Sequence, residues 1–194
     1  MKNNLSYQGE LYRKIIHMSS SVIPLFLLFN SKSDTLMILI PFSILFVTID
    51  VSRNFISKIN EIYIKLFSFV TRKIEFRKNN LTGASYVFIS AVFVILFFDK
   101  DISIPSLLIM SISDSLAAII GISYGKTKLF SKSLEGTFSF FLSACLLLLL
   151  FNISLSNAIV ISMLVSIVEL FSNHKFNDNI TIPIICAFLL SVIK

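Results

Sequence analysis

The sequence predicts an all-α integral membrane protein, one domain over residues 1–194 with about seven transmembrane helices and its N-terminus inside. Three observations predict this. Hydrophobic residues make up 55% of the chain and charged residues only 14%, where a soluble domain carries about 25% charge. The apolar residues fall in seven runs near the length a spanning helix needs, roughly 17–25 residues. The basic residues alternate between the connections, with fourteen of the seventeen on one side of the predicted topology. The positive-inside rule makes that side cytoplasmic. Mean hydropathy is +0.85, which excludes a soluble globular enzyme and a disordered chain. The net charge of +6 arises between apolar runs and not on a soluble face. It therefore argues against nucleic acid as a partner and for the anionic face of a membrane. Cys145 and Cys186 lie in apolar runs and read as buried small hydrophobes, not as a disulfide framework.

The first span is expected at 15–31. It starts late and carries His17, Ser19, Ser20 and Ser21, so it reads as a mature helix and not a signal peptide. The second, at 35–50, is short, as is the seventh, at 179–193. Between the second and third spans, the stretch 51–80 interleaves Phe55, Ile59, Ile62, Ile64, Leu66, Phe69 and Val70 with Arg53, Lys58, Glu61, Lys65, Arg72 and Lys73. That spacing predicts an amphipathic helix lying on the anionic inner leaflet; a solvated loop is the plain alternative. Spans three to six are expected at 81–98, 103–121, 136–152 and 154–171. The inner side then holds Lys2, Arg13, Lys14, the basic residues of 51–80, the lysines of 122–135 and Lys175. The outer side holds Lys32, Lys100 and Lys194. A site built from inner-side residues faces the cytoplasm, across the inner membrane if the cell is prokaryotic.

Ionisable residues inside a membrane are expensive and mark function by default. Asp114 lies within the fourth span, Glu169 at the inner end of the sixth and His17 in the first. All five glycines fall near the inner ends of spans or in inner loops. The densest constellation is residues 114–137. Gly121, Gly125 and Gly136 allow close backbone approach. Lys126, Lys128 and Lys132 neutralise polyphosphate charge, although as a set they also serve as topology signals. Asp114 and Glu135 are suited to Mg²⁺, which takes one or two carboxylates plus substrate phosphates. Ser133 and Thr137 open the fifth span, where backbone N–H groups favour anions. Together these are the ingredients of a nucleotide-polyphosphate site. The run Gly121-Ile-Ser-Tyr-Gly125-Lys126-Thr127 imitates a P-loop, but has three residues between its glycines where that motif has four, and it follows a membrane helix.

The N-terminal motif Glu10-Leu-Tyr-Arg13-Lys14-Ile-Ile-His17 puts positions 10, 13 and 17 on one helix face. Arg13 suits a phosphate, with Glu10 orienting it; an interfacial snorkelling cluster is the alternative. His17 alone reads as readily as a hydrogen-bonded structural residue. Leu81-Thr82-Gly83 opens the third span, and Asp178-Asn179 opens the seventh. There is no Cys/His zinc spacing and no Gly-x-Ser-x-Gly elbow.

Taken in order, Glu10-x-x-Arg13-Lys14-x-x-His17, Leu81-Thr82-Gly83, Asp114-Ser-x-Ala117-Ala118-x-x-Gly121-x-x-x-Gly125-Lys126, Lys132-Ser133-x-Glu135-Gly136-Thr137, Glu169 and Asp178-Asn179 resemble the dolichol kinase, phytol kinase and CTP-dependent diacylglycerol kinase family. The resemblance runs from residue 10 to about 183. It implies transfer of the γ-phosphate of CTP, or another nucleotide, to a membrane lipid alcohol, with Mg²⁺ or another divalent cation. On that basis Asp114, Glu135 and Asp178 are expected at the metal. Gly121, Gly125, Lys126, Lys128, Lys132, Ser133, Gly136, Thr137 and Asn179 are expected at the nucleotide. Arg13 and His17 are expected to stabilise the transferring group, and Asp114 is the leading candidate for proton acceptor. The 114–137 block is also similar to phosphatidate cytidylyltransferases, but that family's C-terminal pair of aspartates with a neighbouring arginine is missing here. A cytidylyltransferase and a non-enzymatic transporter or binding subunit remain the rival expectations.

Overall fold

The computed structural model describes residues 6–71, 81–172 and 177–193. Lys2, Arg72, Lys73, Arg77, Lys78, His174, Lys175 and Lys194 lie outside the described residues, and with them part of the charge alternation. All seven apolar runs are helical, and the described residues are all-α but for one short hairpin.

The first run is two helices, α1 (Tyr7–Ser19) and α2 (Val22–Phe29). Ser6 caps α1 by accepting from Gly9 N at 3.1 Å. The break at Ser20–Ser21 corrects the single helix expected at 15–31, and it has a local cause. Pro24 lacks an N–H and its ring clashes with the carbonyl four residues back, which is that of Ser20. That carbonyl instead accepts from Ile23 N at 3.0 Å. The Ser19 and Ser20 hydroxyls donate to the Ile16 and His17 carbonyls, each at 2.7 Å.

Helix α3 (Lys32–Ser52) is longer than the expected 35–50 because Ser31 caps it early and Arg53 caps it late. Helix α4 (Ser57–Phe67) realises the middle of the amphipathic stretch, and none of its residues is buried. Then come α5 (Gly83–Phe97) and α6 (Lys100–Leu108), a π-helical turn (Ile109–Ser113) and α7 (Asp114–Ser123). The last three form one continuous helix, Lys100–Ser123. A hairpin follows, β1 (Lys128–Leu129) antiparallel to β2 (Lys132–Ser133), turning at Phe130 with φ of 52°. Helices α8 (Leu134–Leu150), α9 (Leu155–Phe171) and α10 (Asp178–Ile193) complete the bundle.

The α6–α7 helix is the axis. Every residue from Ile102 to Ser111 is buried, and α1, α2, α5, α8 and α10 pack around it. Helix α9 lies on α8 and α10, and α3 lies on α5. The interior is rich in serine. Ser90, Ser103, Ser106, Ser111, Ser113, Ser115 and Ser162 are fully buried. Several donate one turn back along their own helix, Ser106 to Ile102 O at 2.8 Å and Ser111 to Leu107 O at 3.0 Å. Meanwhile Phe29, Met37, Phe97, Leu150 and Val192 stand on the outside. Apolar surface this extensive marks contact with a membrane or a partner. Among the described residues two helices, Lys32–Ser52 and Lys100–Ser123, are long and apolar enough to cross a bilayer. Helices α5, α8, α9 and α10 are apolar but shorter, so the expected count of seven crossings does not follow from helix length.

Candidate active site

The π-helical turn delivers Asp114 into the axis of the bundle. Its N–H reaches back five residues to the Ile109 carbonyl, a widened turn of the kind that recurs at functional sites. The Asp114 side chain is 2% exposed. Lys14 of α1 forms a salt bridge to its Oδ2. His17 Nε2 stands 3.5 Å from the same oxygen and 3.0 Å from the Met110 carbonyl. A carbonyl only accepts, so Nε2 carries the proton and points it at Met110 O beside the carboxylate. Ser115 Oγ donates to Ser111 O at 2.6 Å and reaches Lys14 O at 3.2 Å, which pins α1 to α7. Arg13 Nε donates to Glu10 Oε2 at 3.1 Å.

A second ion pair closes the site from the hairpin side. Lys132 of β2 is bonded to Glu169 Oε1 at the end of α9, and Thr137 Oγ1 stands 3.5 Å from Glu169 Oε2. Burial disfavours the charged form of Lys132, but the Glu169, Asp114 and Asp178 carboxylates outweigh it and hold the ammonium above its usual range. Glu169 thus meets Lys132 directly, while Asp114 and Asp178, from two other helices, act on it through their charge. Asp178 also lies within electrostatic reach of Lys14 and His17.

The glycines close the α7–α8 crossing. A Cβ on Gly136 would stand 2.7 Å from Ala117 O and 3.2 Å from Gly121 Cα. A Cβ on Gly125 would stand 2.2 Å from Gly121 O. Ser133 Oγ lies against all three glycines and caps α8 by accepting from Gly136 N at 3.1 Å. Glu135 turns to the loop and accepts from Lys126 N and Thr127 N, each at 3.1 Å. Backbone N–H groups, its own and those of Thr127 and Lys126, hold its carboxyl below the usual range. Lys126 and Lys128 are exposed on the loop. Tyr7 OH and Ser123 Oγ, 3.0 Å apart, tie the start of α1 to the end of α7.

At the start of α10, Asn177 Oδ1 accepts from Asn179 N at 3.0 Å. Asn179 Nδ2 donates to Gly83 O at 3.2 Å, which joins α10 to α5. Of the residues expected at the site, Asp114 and His17 come together, Lys132 meets Glu169, and Asp178 reaches them through its charge alone. Glu135, Ser133 and the glycines are engaged in loop and helix geometry, and Arg13 pairs with Glu10. Three residues escaped assignment on sequence. Lys14 and Glu169 stand within the quoted motifs without a chemical role of their own, although Lys14 follows Glu10 by four and precedes His17 by three. Asp50 was passed over, although an acid closing an apolar run was the signal. Among the described residues no group of three or more His, Cys, Asp or Glu is arranged to hold a metal ion. The donors around Lys132 are hard carboxylate oxygens, the chemistry Mg²⁺ accepts with substrate phosphates completing its shell.

These features define a helical-bundle protein with ionic pairs gathered where several helix ends meet over an apolar interior. The chain is 32% identical over 189 residues to an uncharacterized protein of Rickettsia prowazekii, covering 92% of this chain and 91% of that protein. It is 30% identical over 186 residues to an uncharacterized protein of Methanocaldococcus jannaschii, covering 94% and 93%. The chain belongs to one family with these two proteins. It is also similar to CTP-dependent diacylglycerol kinase 1 of Saccharomyces cerevisiae, 33% identical over 119 residues, which is 60% of this chain and 40% of the yeast protein. No family profile matches the chain, and no solved structure matches it.

Proposed function

We propose that the chain is a multi-pass membrane kinase that transfers the γ-phosphate of CTP to the hydroxyl of a lipid alcohol at the cytoplasmic face. The observation that carries this is the similarity to the yeast CTP-dependent diacylglycerol kinase. A polyprenol, a phytol-like alcohol or diacylglycerol would each present one hydroxyl and an apolar tail. The serine-rich interior and apolar exterior support a bilayer setting, and α4 is the segment proposed to lie on the anionic leaflet. The gathering of charged groups at one end, and not near the midplane, speaks against a transport pathway.

Phosphoryl transfer asks mainly for positioning and charge stabilisation. The lipid oxygen attacks the γ-phosphorus, its bond to the β–γ bridging oxygen breaks, and CDP leaves. The hydroxyl proton passes to a carboxylate, assigned to Asp114, the buried acid that stands beside both Lys14 and His17. His17 Nε2 stands beside it at 3.5 Å, and Arg13, paired with Glu10, is the residue proposed to meet the transferring group. Lys126 and Lys128, exposed on the loop, meet the incoming phosphates, and Lys132 sits at the boundary between loop and bundle. Gly121, Gly125, Gly136, Ser133 and Thr137 shape that loop, Glu135 holds its backbone, and Asn179 fixes the neighbouring helix end. A divalent cation would be held by Asp178 with the substrate phosphates, and by Asp114 where that carboxylate serves as ligand instead of proton acceptor; it would supply charge neutralisation to the polyphosphate.

The test is purified protein in detergent with Mg²⁺, a lipid extract containing diacylglycerol, and CTP labelled at the α or the γ position. Label entering the organic phase from the γ position alone is the expected result. Label from the α position would make the protein a cytidylyltransferase. Label from neither, with folded protein, would refute CTP-dependent transfer.

A further inference from the structure

We infer that Asp50, which takes no part in the proposed chemistry, is a positioning residue for the Asp178–Asn179 turn and acts through the N-terminus of α5. The kinetic part of this inference rests on the kinase function proposed above. Asp50 closes α3 and is 2% exposed. A buried carboxylate is costly unless its oxygens are satisfied. Here Oδ1 forms an ion pair with the Arg53 guanidinium, with Nε at 2.9 Å. Oδ2 accepts from Thr82 N at 2.7 Å, Thr82 Oγ1 at 2.8 Å and Ser85 Oγ at 2.6 Å. Thr82 is the N-cap residue of α5 but makes no capping bond of its own, because its hydroxyl is turned to Asp50. The first turn of α5 is therefore capped by a carboxylate from another helix, where free N–H groups and the helix dipole favour negative charge.

The next residue carries the effect onward. Gly83 O accepts from Asn179 Nδ2 at 3.2 Å, and a Cβ on Gly83 would stand 3.3 Å from that nitrogen. The start of α5 is thus held between Asp50 on one side and Asn179 on the other. Asn179 follows Asp178, whose charge acts on Lys132. On its far side, the Arg53 guanidinium lies over the Tyr63 ring of α4 at 4.8 Å. A continuous set of contacts therefore runs from α4 through Arg53, Asp50, Thr82 and Gly83 to the turn beside the ionic cluster.

A merely stabilising ion pair would have the same burial, so the test separates stability from placement. Asp50→Asn keeps the shape and removes the charge. The expected result is a fall in kcat of about tenfold or more with KM for CTP within about twofold, the size that small misplacement of reacting groups produces. Amide hydrogen exchange should rise at residues 82–86 and 177–182 and stay unchanged elsewhere. In a double-mutant cycle, Asp50→Asn with Asn179→Ala should lose little more than the worse single variant. Multiplying losses, or exchange rising through the whole bundle in step with a lowered Tm, would overturn the inference. If Asp50→Asn does not fold, Ser85→Ala removes one donor and should give the same exchange pattern at smaller size; an unchanged pattern there would overturn it equally. If the wild-type protein transfers no phosphate, the kinase function fails, and the exchange pattern alone decides the role of Asp50.

Discussion

The Lys14–Asp114 pair allows stability and chemistry to be separated in one experiment. Lys14 is 4% exposed and Asp114 2%, so removing either partner strands the other in a dry interior. Breaking such a pair by one residue costs about 3–5 kcal/mol. His17 remains 3.5 Å from Asp114 Oδ2, which offsets part of the loss in Lys14→Met, so about 3 kcal/mol is expected there. Asp114→Asn leaves the ammonium facing a neutral amide and should lose a similar amount. Replacing both at once, Lys14→Met with Asp114→Leu, removes both charges and should cost no more than either single change alone, Asp114→Leu included, a coupling of about 3 kcal/mol. Phosphate transfer should be absent in both Asp114 variants whatever their stability. The assay pairs thermal unfolding in detergent with transfer of γ-label from CTP. Near-normal turnover by Asp114→Asn would refute its assigned role. A double variant as unstable as the sum of the singles would refute the pairwise burial argument.

The other predictions are simpler. Gly125→Ala places a methyl 2.2 Å from the Gly121 carbonyl and should destabilise by about 1–3 kcal/mol or more; Gly83→Ala, which meets only a side-chain nitrogen at 3.3 Å, should be milder, with thermal unfolding ranking the two. Glu135 has a lowered carboxyl pKa in the fold, so its contribution is present above the unfolded value of about 4.5 and is lost as pH falls through the folded one. Protease cleavage within loop 124–131 should therefore stay level from pH 7 to about 4.5 and rise as pH falls further, and Glu135→Gln should already show raised cleavage at pH 7. Lys132 has a raised pKa, so its pairing contributes fully below the unfolded value of about 10.5 and is lost as pH rises through the folded one. Lys132→Met should raise KM for CTP by about tenfold, the worth of one charge-assisted phosphate contact, as measured by initial rates against CTP concentration.

Helix positions were legible because apolar runs are long-range signals that many residues share. The boundaries were not, since single residues decide them. Pro24 splits the first run, and Ser31 and Arg53 lengthen the second. The 114–137 block was legible as a site because acids, lysines and glycines are rare in this composition. What each does there was not legible. Spacing along the chain cannot tell that Glu135 faces the amides of Lys126 and Thr127 while Glu169, over thirty residues later, takes Lys132. Likewise the glycines read as a cradle for phosphates, whereas the space beside them is filled by Ser133 and by the other helix of the crossing. Lys14 was hidden by its neighbours. Arg13 and His17 drew the functional reading, and only the rotation of α1 against α7 shows which cation reaches Asp114.

The same geometry explains how so many charges can gather over an apolar interior before any substrate arrives. Each buried acid of the cluster is met by a lysine from a different element, Asp114 by Lys14 of α1 and Glu169 by Lys132 of the hairpin. Neither acid is left bare, which burial would penalise heavily. In the proposed reaction a polyphosphate brings negative charge to the lysines, and its cation brings positive charge to the carboxylates. A site assembled from carboxylates alone would lack such pairs in the resting protein. Pairs held across separate elements can also part without unfolding a helix, and Lys132 is carried on a two-stranded hairpin.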